Sequence, residues 1–142
     1  MKVGFTGSQY GTDMLQEGRL VHRLTELRPS CLVHGGCIGA DDRADYHAAK
    51  LGILRVIFPS TVVAKRVKDY VFRSREGSQC IIMPPMPPLE RNHYIVDSVQ
   101  HLLACPRQRH EVLRSGTWAT VRYARKKLGT NNVELLLPEV NE

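Results

Sequence analysis

Short, almost wholly apolar runs ending in glycine or proline alternate along this chain with stretches of helical period, and that alternation leaves few folds open. "KVGFTG" is the first run. It is followed by "MLQEGRLVHRLTEL", where Leu15, Leu20, Leu24 and Leu27 recur at helical spacing until Pro29 stops the pattern. "CLVHGG" is a second run. "DDRADYHAAKLG" then places Ala44, Ala48 and Leu51 on one helical face, with Gly52 as the residue that ends it. "LRVIFP", "LLAC" and "VELLLP" read as further strands, "QCIIM" as another, and the helix "TWATVRYARKKLG" separates the last two of the chain. Strands apolar on both faces, alternating with helices, predict an α/β, Rossmann-like fold. It is an open, mostly parallel sheet of about five strands with helices on both faces.

The middle of the chain is less regular. "TVVAKRVKDYVF" has an amphipathic helical pattern through Val63, Val67, Tyr70 and Val71. "PPMPP", residues 84–88, predicts a stiff loop whose last proline opens a helix. That helix, "LERNHYIVDSVQ", is expected to turn Leu89, Tyr94 or His93, Ile95 or Val96, and Val99 inward, with Glu90, Arg91 and Asn92 in its first turn.

Length and composition set the scale. A chain of 142 residues forms one domain, 1–142, and buries roughly two thirds of its unfolded surface. Hydrophobic content of 42% with 24% charged residues suits a soluble protein, and no apolar run approaches a membrane span, so no membrane partner is expected. The start "MKVGFTGSQYG" is too polar for a secretory core, which makes the cytoplasm the expected compartment. Cys31, Cys37, Cys80 and Cys105 lack C-x-x-C spacing and read as buried small residues. No histidine pair has metal-ligand spacing, and neither a metal nor a cofactor is expected.

The net charge of +6 is unevenly spread. Between Arg107 and Lys127, seven basic residues face one acid, Glu111. A second cluster, Lys65 to Arg75, reads as a solvated basic face. Such a balance favours an anionic partner, either a nucleotide or a nucleic acid. Trp118 and Tyr123 are the aromatics beside the first cluster, few for a single-strand stacking surface, so nucleic acid ranks below a small nucleotide.

Ligands of open α/β sheets bind beyond the carboxyl ends of the strands, where glycine turns meet helix N-termini. Three turns qualify. "TGSQYGT" brings Gly7 and Ser8, "HGGCIGADD" brings Gly35, Gly36, Gly39, Asp41 and Asp42, and "RSGTWAT" brings Ser115, Gly116 and Thr117. None is a complete dinucleotide fingerprint or a Walker A loop. The last turn opens a helix without an acid in its first turn, which suits a phosphate, and Ser115 or Thr117 serves equally well as its N-cap. Asp41 and Asp42 begin a helix where carboxylates cap free amides. They deter phosphate, so that turn reads as a wall for sugar or base, with the glycines clearing space. Arg91 opposes the dipole of its own helix, which points to a ligand or a salt bridge. His34 reads as a strand-end packing residue.

"GFTGS", "HGGCIGADDRADYHAAKLG", "ERN" followed by "IVD", and "SGTWATVRYARKK" together resemble the SLOG superfamily. This Rossmann-like group contains the lonely-guy phosphoribohydrolases and the single-strand-DNA-binding DNA-processing proteins, and the likeness is to its small single-domain bacterial and phage members. It runs from about residue 2 to about residue 137. The resemblance implies that Glu90, Arg91 and Asn92 stand where the lonely-guy enzymes carry "ERK", giving Arg91 a place near a ribose phosphate. It also implies that Ser115, Gly116 and Thr117 match a phosphate-holding "GGxGTxxE" turn. Thr120 stands where that turn has its catalytic glutamate, so the cradle is kept and the carboxylate is lost. Glu90, Arg91 and Asp97 are the candidate catalytic groups, with Asp41 and Asp42 as further carboxylates. The expected function is binding of a nucleotide or nucleotide-derived molecule. The alternatives are hydrolysis or transfer at an N-glycosidic bond of nucleoside 5′-monophosphates, and single-strand nucleic-acid binding. The resemblance also points to a homodimer.

Overall fold

A computed structural model describes residues 1–140, apart from the side chains of residues 69 and 70. The chain alternates β1 (Lys2–Gly7), α1 (Met14–Leu27), β2 (Cys31–His34), α2 (Ala40–Lys50), β3 (Leu54–Ile57), α3 (Asp69–Arg73), β4 (Cys80–Ile82), α4 (Pro88–Asp97), β5 (His101–Cys105), α5 (Gly116–Leu128) and β6 (Val133–Leu135). The strands form one open sheet in the order β4-β3-β2-β1-β5-β6, and every neighbouring pair is parallel. The sheet thus has six strands rather than about five, and the α/β Rossmann-like architecture stands. No helix among the described residues is long and apolar enough to cross a membrane.

Strand alternation explains the layering. Val3 and Phe5 of β1, Leu32 of β2, and Leu103 and Cys105 of β5 pack with Leu20 and Leu24 of α1 and with Ala40, Ala44 and Ala48 of α2. The opposite parity faces the other helices: Cys31 and Val33 meet Ile95 of α4, Leu102 meets Ala124 of α5, and Ala104 meets Trp118 and Val121. Gly4 is the exception that fits, since a Cβ there would stand 3.1 Å from both Leu102 and Val99. α1 starts with a capping box, Asp13 accepting from the Gln16 amide while the Gln16 side chain accepts from Asp13.

Several helical expectations change. Leu51 is exposed because it ends α2 as its C-cap, followed by Gly52 in the left-handed region, and Leu89 and Tyr94 also face solvent. Ile95 and Val96 are both buried, one under each neighbouring cluster. The continuous helix expected over 61–72 is replaced by a single 3-10 turn, Val63–Lys65, and the short α3. The chain breaks there because Cys37 and Arg66 form an isolated bridge and Val67 donates to Gly36, extending the backbone between the two pieces. Tyr70, expected on the inner face, has its side chain outside the described residues.

A buried polar network sits under α2. Asp45, wholly buried, accepts from His34 Nε2 and from Arg55 Nη1, each at 2.8 Å, and from Arg75 at 2.9 Å. The Gly36 amide meets His34 Nδ1 at 3.0 Å, so both ring nitrogens have a polar partner. Burial alone would raise the Asp45 carboxyl, but the His34 and Arg55 hydrogen bonds outweigh it and hold the group below the usual carboxylate range. His34 is therefore a strand-end structural residue, with a polar partner instead of purely apolar packing.

Candidate functional site

The chain runs outward from β1 through β2 and β3 to β4, then returns to lay β5 against the other side of β1. At such a reversal the loops leaving β1 and β5 diverge to opposite faces and open a crevice at the strand ends. A cleft of about 380 Å³ occupies that position, within the range of small-molecule sites. Its floor is the end of β1, and its walls come from all three glycine turns and from the start of α4.

The structure gathers Gly7, Ser8, Gly35, Asp41, Arg91, Asn92, Ser115, Gly116 and Thr117 around this one cleft. It does not bring Gly36, Gly39, Asp42, Glu90 or Asp97 to the lining. Asp42 turns away to pair with Arg75. Asp97 accepts from the Tyr123 hydroxyl on the far side of α4, and Glu90 is exposed. Asp41 is thus the only carboxylate on the wall of the cleft among the described residues.

The glycines of "HGGCIG" make room mostly for the protein itself, which corrects the expectation that they clear space for sugar or base. Gly39 has φ of 90°, and a Cβ there would lie 2.3 Å from the carbonyl oxygen of Gln9. This contact lets the β1–α1 loop rest on the start of α2, where Ala40 donates to Ser8. At Gly36 a Cβ would strike Ile57 at 2.7 Å. Only Gly35 reaches the cleft, and there a Cβ would collide with Arg91 Nη1 at 2.3 Å.

Arg91 is 6% exposed and bonds inward. Its Nη1 donates to the carbonyls of Gly35 at 2.7 Å and Phe58 at 3.2 Å, its Nε donates to Asn92 Oδ1 at 2.8 Å, and Nη2 lies 3.5 Å from the Cys37 sulfur. Neither a salt bridge nor an open fork describes it. Arg91 ties the loops after β2 and β3 to α4 and forms part of the cleft wall. Asp41 accepts from the Cys37 amide at 3.2 Å, and burial raises its carboxyl despite the pull of His34 and Arg91. Burial, reinforced by that carboxylate, pushes the Cys37 thiol up to about 11.

Ser115 caps α5, accepting from the Trp118 amide at 3.2 Å. The amides of Gly116 and Thr117 find no acceptor among the described residues, as is usual in the first turn of a helix. Thr120, in the glutamate's place, is 3% exposed, donates to the Gly116 carbonyl and does not line the cleft. Arg122 turns to Glu111 and the Leu113 carbonyl and does not line the cleft.

Sequence reasoning missed Lys65, Arg107 and Tyr10. Lys65, assigned to a solvated face, lines the cleft because the 3-10 turn folds back over Ile38, whose amide donates to the Lys65 carbonyl. Only their place on the expected strand-end loops could have drawn attention to them. Among the described residues no three His, Cys, Asp or Glu side chains gather as a metal-binding set would. Compared with known proteins, the chain matches no family model and no curated relative.

Proposed function

We propose that this protein binds a nucleotide or nucleotide-derived small molecule in the cleft between the β1 and β5 loops, with a phosphate on the N-terminus of α5. One observation carries the reading. Of the four longer helices, α1 has Glu17, α2 has Asp41 and Asp42, and α4 has Glu90 in the first turn, while α5 has no acid and two open amides facing a site at the sheet reversal. Arg114 lines the cleft next to it. Asp41, held on a different wall, suits a hydroxyl or amino group of the ligand rather than its phosphate. The SLOG-like residue pattern fits the same reading.

Hydrolysis at an N-glycosidic bond has less support. It needs a carboxyl beside the reacting carbon, and the cleft offers only Asp41, already engaged with backbone amides. Single-strand binding is weaker still, since Trp118 is buried and Tyr123 is stacked on His93 at 3.9 Å, so neither aromatic of α5 offers a base an open face. A thermal-shift panel of nucleosides, nucleoside monophosphates, cyclic nucleotides and short oligonucleotides tests the proposal. Small nucleotides should stabilise the fold, by about 2.7 kcal/mol at 100 times Kd. Stabilisation by oligonucleotides alone would overturn it.

A further inference from the structure

Four cationic side chains line the cleft: Lys65, Arg91, Arg107 and Arg114. Arg91 spends its donors on the protein, as described. Arg107 is arranged differently. Its guanidinium lies over the Tyr10 ring, 4.3 Å from the centroid, and no salt bridge among the described residues includes it. Stacking covers a face of the guanidinium and leaves the in-plane N–H edge, the part that recognises phosphate oxygens.

The two partners are mounted on opposite lips of the crevice, and both mounts are fixed. The Pro106 carbonyl, just before Arg107, accepts from the buried Gln16 side chain at 2.8 Å. Gln16 also donates to the Leu136 carbonyl at 3.0 Å, tying the root of the β5–α5 loop to α1 and β6. On the other lip, Tyr10 donates its amide to Ser8 Oγ at 3.1 Å, and Gly11 donates to the Ser8 carbonyl. Tyr10 is 71% exposed, so its ring is not held in place by a core. The Tyr10 ring lies against an arginine with no acid partner among the described residues, and the guanidinium edge is left free to meet an anion. It is separate from the α5 amides and opens on the same cleft.

We propose that the Tyr10–Arg107 pair is a second phosphoryl subsite, so that the ligand class of this cleft is nucleotides carrying two phosphoryl groups rather than one. The inference rests on the nucleotide reading above: the α5 N-terminus takes one phosphate and Arg107 takes the other. Tyr10 acts as a positioning residue that sets the plane of the guanidinium.

Titration calorimetry with the four ribonucleoside monophosphates and their diphosphates, on wild type, Arg107→Ala, Tyr10→Phe and Tyr10→Ala, tests this. The wild type should bind the preferred diphosphate on the order of tenfold to a hundredfold tighter than its monophosphate, the effect of one charged hydrogen-bond contact. Arg107→Ala should bring that ratio close to one. Tyr10→Phe should keep it, because the ring remains, and Tyr10→Ala should reduce it. A wild-type ratio near one, or equal losses for both ligands in Arg107→Ala, overturns the second subsite while the nucleotide reading survives. Failure of every nucleotide to bind the wild type defeats both.

Discussion

Arg55 donates from Nη1 to Oδ2 of Asp45 across 2.8 Å, with both side chains closed off from solvent between the sheet and α2. Removing one partner of such a pair strands a charge in the interior. Asp45→Ala should cost about 3–5 kcal/mol, read as a lower urea midpoint, whereas Arg55→Met combined with Asp45→Leu should cost less than the single change. Equal losses in the single and double variants would show that the pair acts only through packing.

Acid should unfold the protein through the same group. Asp45 is held below its ordinary value, and Glu17 and Glu134 are lowered too, their partial burial outweighed by Arg43 and His47 at Glu17 and by Arg23 and His101 at Glu134. A carboxyl depressed in the fold stabilises fully above its unfolded value of about 4, and that contribution disappears as pH falls through the folded value. Urea midpoints should therefore decline steeply below about pH 4. Asp45→Asn should flatten the decline, and an unchanged slope would remove Asp45 from the account.

Arg91 should behave as a structural residue. Its loss leaves the Gly35 and Phe58 carbonyls short of a donor, at about 1–3 kcal/mol of stability, and Arg91→Ala should weaken nucleoside and nucleotide alike. Selective loss of nucleotide binding would instead place its charge on the phosphate.

Gly35→Ala should destabilise by about 1–3 kcal/mol, because the new methyl meets Arg91 at 2.3 Å for Nη1 and 2.8 Å for Cζ. Combined with Arg91→Ala, the collision disappears, so the double variant should be less damaged than the sum of the singles. Strict additivity would contradict the contact.

The Cys37 thiol, pushed up to about 11, should alkylate slowly at pH 8 and much faster at pH 10, with bound nucleotide blocking the reaction at both. Mass spectrometry of iodoacetamide adducts separates it from Cys31 and Cys105, which are buried. Rapid labelling at pH 8 would mean that the wall of the cleft is more open than described.

The wild type should release little free base from nucleoside monophosphates. Restoring a glutamate with Thr120→Glu should not help, since position 120 points under α5 and a charge there destabilises the fold. Robust release, abolished by Asp41→Asn, would make the nucleotide a substrate.

The sheet and its edge were legible because apolar strands and glycine turns are local patterns: Val3, Phe5 and Leu32 announce a buried strand wherever they stand. What a glycine admits is not local. "HGGCIG" signals close approach, but the approaching groups are the Arg91 guanidinium, Ile57 and the Gln9 carbonyl, all distant in sequence. The acids of "ADDRAD" look alike on paper, and the helical turn sends Asp41 to the cleft, Asp42 to Arg75 and Asp45 to the core. Leu89 and Leu51 fit a helical stripe yet fall at helix ends, where the core no longer covers them. The Tyr10–Arg107 contact had no sequence signature, because it joins two loops through the order of the strands.

That order also fixes when the cleft can exist during synthesis. β1 leaves the ribosome first and pairs early with β2, but its other edge is filled only by β5. A nascent chain that has delivered β1 through β4 carries a sheet with its future centre still an open edge, and an unpaired apolar strand is a template for aggregation. Translation stalled within the long return from β4 to β5 would thus leave a species in need of a chaperone. Release of a chain cut before His101 should yield insoluble protein, however complete its first four strands.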